Sequence, residues 1–241
     1  MRLLPSIQLL VCFALTGPVD FTMNMILLRL VGISTAIVLT LHAGMSFYAD
    51  LVRPNFRASD LFSGEIPPDK AKLAAAGGLA SFSWDGDLLA NYAAAMATDV
   101  LHRPAADAPG RASENKAAQA AVVTALKVSP IRPALWLTLG TLRAQAGEAA
   151  TPAVKMSYLT GAVPIDVAMS RVRTVTSGAA ASDEEIRLLA QSDIRSALAN
   201  RTRYEPLLVS AYVQATPQGK SLLLETTKVS DPKFNEILRR Y

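Results

Sequence analysis

The residues of this chain that could do chemistry stand far apart, and each fits a plainer role. Gly219-Lys220-Ser221 ends as a phosphate-cradling loop ends, but such a loop needs glycine where Gln214 stands and a strand before it. A helix start with Lys220 on its exposed side is the expected structure there. Ser113 and Lys116 have the S-x-x-K spacing that sets a serine nucleophile beside a lysine, yet no S-D-N or K-T-G segment follows. Ser113 is therefore expected to cap a helix. Of the two histidines, His42 lies in an apolar run, so a Ser-His-Asp triad would have to use His102. Asp85 and Asp87, beside Trp84, could act as a carboxylate pair on a sugar. Acids also stabilise the positive end of a helix, which is the simpler reading of both. These residues lead us to expect no catalytic, cofactor-binding or metal-ligating set and no enzyme activity. Trp84 is the candidate contact for a ligand or partner.

The elements that would position such residues begin with a membrane-length run. Residues 30–47 (LVGISTAIVLTLHAGMSF) contain no Asp, Glu, Lys or Arg. At about 1.5 Å per helical residue, that length just spans a hydrocarbon core. Residues 26–48 are read as an uncleaved signal anchor, with Arg29 near enough to its end to snorkel. His42 reaches the interface in the same way. Residues 1–25 form a tail that can lie upstream of the true start, because translation from Met23 or Met25 gives a more orthodox signal. Cys12, in that tail, is the only cysteine, so neither an internal disulfide nor a thiolate metal cluster can form. Val11 stands where a lipidated bacterial cysteine wants a small residue. The signal-like organisation predicts N-in, C-out topology in a bacterial inner membrane, with a periplasmic soluble part.

Composition makes that soluble part all-α. The chain is 51% apolar but 6% aromatic, and its alanine-rich segments favour helix packed on helix. A net charge of +4 would suit nucleic acid if it were clustered, but the cations are interleaved with 20 acids, so no nucleic-acid partner is expected. Residues 49–83, with Pro54, Pro67 and Pro68, read as a linker with short helical pieces at most. Residues 84–241 read as the helical domain. Periodicity and breakers predict helices over 87–103, 114–128, 133–145, 151–160, 165–175, 183–199, 205–215, 216–228 and 232–240, with residues 104–110 as a surface loop. Ser182-Asp183-Glu184-Glu185 is read as a capping box whose serine starts the sixth of these.

Fixed spacing adds a repeat to this pattern. Ala118, Val122, Ala125, Pro130, Trp136, Leu139 and Gly140 stand where the tetratricopeptide consensus has A-x3-F, A and P closing one repeat and W-x2-L-G opening the next. Pro164 follows Pro130 at the 34-residue period. Residues 114–164 thus resemble the tetratricopeptide-like class, which implies stacked helical hairpins with Trp136 filling the gap between repeats. Arg143, Pro152 and Ser170 depart from the consensus tyrosine, alanine and next tryptophan. More widely, the segments ALKVSPIRPALWLTLGTLRAQAGE, VKMSYLTG, DEEIRLLAQSDIRSAL and ATPQGKSLLLETTKVSDPKF resemble small single-anchor helical-repeat proteins of proteobacteria associated with cell-surface polysaccharide assembly.

The expected function is a non-enzymatic, membrane-anchored scaffold that binds protein partners without a cofactor. Two alternatives stay open on these residues. One is a membrane-bound enzyme acting on glycan or peptidoglycan; the other is a structural subunit of a larger complex acting through its transmembrane helix.

Overall fold

A helix with no breaker runs until one appears, and the first helix stops where Arg53 precedes Pro54, a residue pair disfavouring α geometry. This helix, α1, covers Phe21–Val52 in a computed structural model that describes residues 21–64, 69–80, 85–102 and 108–241. Cys12, Pro67, Pro68, Trp84, Arg103 and Pro104 lie outside the described residues. The chain divides into two compact units, Met1–Tyr48 and Ala49–Tyr241.

In the first unit α1 presents apolar side chains on every side. Leu28 is 70% exposed and Phe47 is 67% exposed. Within Met25–Val52 an 18-residue window reaches a mean hydropathy of 1.9, so the helix is long and apolar enough to cross a membrane. Three of its hydroxyls turn back onto the helix: Ser34 and Thr35 donate to the Val31 carbonyl at 2.9 and 2.8 Å. Thr40 donates to Ala36 O at 2.8 Å, an arrangement that suits an apolar medium.

The second unit is all-helical among its described residues. Helices α2 (Asp60–Ser63) and α3 (Lys70–Ala80) fall in the stretch read as a linker. That stretch contributes core: Phe56 is 2% and Leu61 3% exposed, packed among residues of later helices. Gly64, with φ of 77°, ends α2 in the left-handed region that glycine tolerates. Ala49, in the last turn of α1, is buried with Ala76 of α3 and Leu88.

Helix α4 (Gly86–His102) starts where the Asp85 carboxylate accepts from the amides of Asp87 and Leu88 at 2.8 and 3.1 Å. Helix α5 (Ala108–Val128) begins earlier than expected, with Pro109 in its first turn. Ser113 is therefore not a cap; it lies inside α5 and its hydroxyl donates to Gly110 O at 2.8 Å. Then follow α6 (Pro133–Gln145), α7 (Thr151–Leu159), α8 (Ile165–Thr176) and a 3-10 turn at Ala179–Ser182. Ser182 belongs to that turn, and the cap of α9 (Glu184–Ala199) is Asp183, which accepts from the Ile186 amide at 3.1 Å. Helices α10 (Arg201–Val213), α11 (Pro217–Ser230) and α12 (Pro232–Leu238) complete the chain.

Helices consecutive in sequence pack on each other: α4 on α5, α6 on α7, and α8 on α9. Helix α6 also touches α4, and α8 touches α6. One core gathers Phe56, Leu89, Ala93, Val122, Leu135 and Leu139; the other gathers Val172, Ile186, Ile194, Leu222 and Phe234. Adjacent residues of α7 serve both, Ala153 the first and Val154 the second.

Candidate functional site

Every second helix from α4 to α10 contributes to one groove. Its walls are Leu101 and His102 of α4, Thr141 and Gln145 of α6, Met169 and Arg173 of α8, and Leu207 of α10, with Leu61 and Phe62 of α2 along one side. The volume is about 380 Å³, and the lining mixes apolar and polar groups as binding clefts do. Arg173 is exposed and its side chain has no partner among the described residues. Asp166 at the same groove faces Arg203 at 4.0 Å.

The residues at repeat spacing meet at the joint between α5, α6 and α7. Ala118, Val122 and Ala125 are fully buried, and Leu139 is nearly so. A Cβ on Gly140 would lie 2.8 Å from Val154 Cγ2, so the missing side chain is what lets α6 and α7 approach. Trp136 is half-buried against the first core, and its indole N–H donates to the carbonyl of the exposed Pro130 at 2.8 Å. That bond ties the loop between α5 and α6 to the helix it precedes. Trp84, the other tryptophan, lies outside the described residues.

The remaining residues with chemical potential do not converge. Gly219 gives its amide to Thr216 Oγ1 at 3.2 Å, the N-cap of α11, and Lys220 Nζ sits 4.9 Å from the Tyr212 ring centre. Lys220 is thus half-buried over an aromatic face. Asp85 is paired with Arg53 at 2.7 Å and Asp87 with Arg132, two different guanidinium groups. Burial pushes the Asp85 carboxyl up, but the Leu88 and Asp87 amides and the Arg53 charge outweigh it and hold it below its ordinary value. A carboxyl so held is a poor proton donor. His42 is exposed on α1 and His102 is exposed at the groove. No group of three metal-ligating side chains occurs among the described residues.

One buried ionic cluster is absent from the sequence expectations. Arg171 of α8 is 3% exposed and donates Nε to Ser157 Oγ at 2.9 Å, and Nη2 to Ser157 O and, at 3.1 Å, to Gly161 O. Its guanidinium lies 4.7 Å from the Tyr158 ring centre, and Nη1 stands 4.0 Å from Asp193 Oδ2 of α9. Tyr158 Oη and Asp193 Oδ2 influence each other's protonation, yet neither makes a hydrogen bond of normal geometry. Burial pushes the Asp193 carboxyl up to about 6, against the Arg171 charge, which opposes the rise. Its signal was available: Val167, Arg171 and Val175 follow at four-residue steps, so Arg171 falls in the buried stripe of α8.

Stability should record this. A carboxyl whose pKa is higher folded than unfolded binds its proton more tightly in the folded state, so stability falls as pH rises through the interval between the two values. For Asp193 that interval runs from its ordinary 3.8 to about 6. From about pH 5 to about pH 8 the folded chain should lose roughly 1 kcal/mol through this group. Urea unfolding in detergent at both pH values tests it: Asp193→Asn should remove that part of the pH slope, and an unchanged slope would refute the assignment.

The chain matches no protein family, no curated protein and no solved structure.

Proposed function

We propose that this chain is a membrane-anchored, non-enzymatic scaffold whose tetratricopeptide-like helical surface binds protein partners. The observation that carries the reading is the groove lined by every second helix, α4, α6, α8 and α10. Stacked hairpins put alternate helices along one face, and such faces hold segments of other proteins. The pairing of α4 with α5, α6 with α7 and α8 with α9, together with the close approach at Gly140, supports the repeat assignment. The exposed apolar surface of α1 supports the anchor. A periplasmic orientation in a bacterial inner membrane, and a role in envelope polysaccharide assembly, rest on the sequence resemblance.

Photo-crosslinking amino acids at Arg173 and Gln145, both in the groove and exposed, test the reading in native membranes. Both positions should capture the same protein, while Lys127, exposed on α5 and outside the groove, should not. Equal capture from all three positions, or none from the groove, would reject a groove-bound partner.

A further inference from the structure

A second cleft, of about 670 Å³, opens between the segment after α1 and the first turns of α4 and α6. It is large enough for an organic molecule. Three arginines line it, Arg53, Arg57 and Arg132, and each guanidinium carries five N–H donors in a planar fork. Most of that capacity is unused. Arg53 gives Nη2 to Asp85 at 2.7 Å and to Asp50 at 2.8 Å, while its Nε is buried without a partner. Arg132 gives Nε to Ser129 Oγ at 2.8 Å and Nη2 to Asp87. The exposed Arg57 guanidinium has no partner among the described residues.

The acids at the cleft are already engaged. Asp60 accepts from the Arg57 amide at 2.6 Å and from Ser59 Oγ at 3.1 Å, and Asp87 accepts from Arg132. Asp50, Asp85 and Asp87 pair with Arg53 and Arg132, and Asp60 is held by neutral donors, so the Arg57 guanidinium is the lining cation without an ion pair among the described residues. The start of α6 adds to the donor side: no side chain caps it, and Ala134 and Leu135, in its first turn, line the cleft.

We propose that this cleft binds a phosphate group carried on a larger organic molecule, with Arg57 as its forked partner. A tetrahedral phosphate offers three or more acceptor oxygens and suits donors arriving from several directions, and arginine meets it with two parallel bonds. Two sources supply that chemistry, a phospholipid headgroup or a soluble phosphate ester. Arg53 follows directly on the last residue of α1, so a headgroup is within reach of the chain.

Melting of the full chain separates the outcomes. In detergent, sn-glycerol 3-phosphate at tenfold over its dissociation constant should raise the melting temperature by about 4 °C over sodium chloride of matched ionic strength. In nanodiscs, phosphatidylglycerol should raise it over phosphatidylcholine if the source is lipid. Either shift, lost in Arg57→Gln and in Asn55→Ala, a change at a residue that lines the cleft beside Arg57, and kept in the distant Lys127→Gln, supports the site and names its source. Both substituted cleft residues are exposed, so neither change threatens the fold. Absence of both shifts, or shifts that survive Arg57→Gln, would overturn it.

Discussion

Replacing Gly219 with alanine is expected to destabilise the helical unit by more than about 3 kcal/mol, or to prevent its folding. A Cβ at this position would lie 2.0 Å from Thr176 O and 2.7 Å from Thr176 Cα, both backbone atoms that no rotamer change can move. Thr176 is the last residue of α8, and its carbonyl is one of those a helix end leaves unpaired. Thr216 supplies the partner: its amide donates to Thr176 O at 2.9 Å and its hydroxyl donates to the same oxygen at 3.2 Å. The same hydroxyl accepts from the Gly219 amide, so one threonine closes the end of α8 and opens α11. The two helix ends meet with opposite partial charges, which favours the contact further. Gly78 is the internal control, a helical glycine whose added Cβ would meet nothing within 4 Å. Gly78→Ala should stabilise by about 0.5–1 kcal/mol, as alanine does in an open helix position. Thermal unfolding of both variants in detergent decides the matter, and a Gly219→Ala loss below about 1 kcal/mol would mean that α11 shifts freely.

The contrast between these glycines marks what the sequence could express. Helices bounded by proline and glycine were legible to the residue: the spacing predicts 133–145, and α6 runs Pro133–Gln145, with Gly147 at φ 72° in the turn that follows. Local signals of this kind act within one turn of chain. Helix α3 was not legible, because its alanines and glycines carry no apolar stripe and it is held by contacts such as Ala76 with Leu88. Phe56 and Leu61 looked like linker residues for the same reason; their burial is decided by α4 and α6, far along the chain. Ser113 and Ser182 each carry a cap signal that the structure does not use, because α5 already runs from Ala108 and Asp183 holds the first turn of α9. The groove was not legible either, since it assembles Leu61, Leu101, Met169 and Leu207 from four helices far apart in sequence. The arginine cleft was not, since it brings Arg53 and Arg57 to Arg132 across some eighty residues of sequence.

Arg171→Met is expected to cost about 3–4 kcal/mol, although methionine fills much of the space and keeps the helix. The loss has two parts. Ser157 O and Ser157 Oγ lose buried donors that join the end of α7 to α8, and Gly161 O loses one at an exposed residue that water can reach. Asp193, 17% exposed, keeps its carboxylate with no cation beside it, so its pKa should climb further and the pH slope should steepen. The second part can be separated from the first. Adding Asp193→Leu to Arg171→Met removes the stranded charge, and the double variant should recover roughly 1–2 kcal/mol of the loss, because apolar replacements of a buried pair are well tolerated. Recovery will be incomplete, since the buried carbonyl of Ser157 stays without the arginine's donor. Urea unfolding of the wild type, both single variants and the double variant in detergent gives the coupling between the two residues. A coupling near zero would place the strength of the joint in the arginine's bonds to α7 alone, with Asp193 a spectator 4.0 Å away.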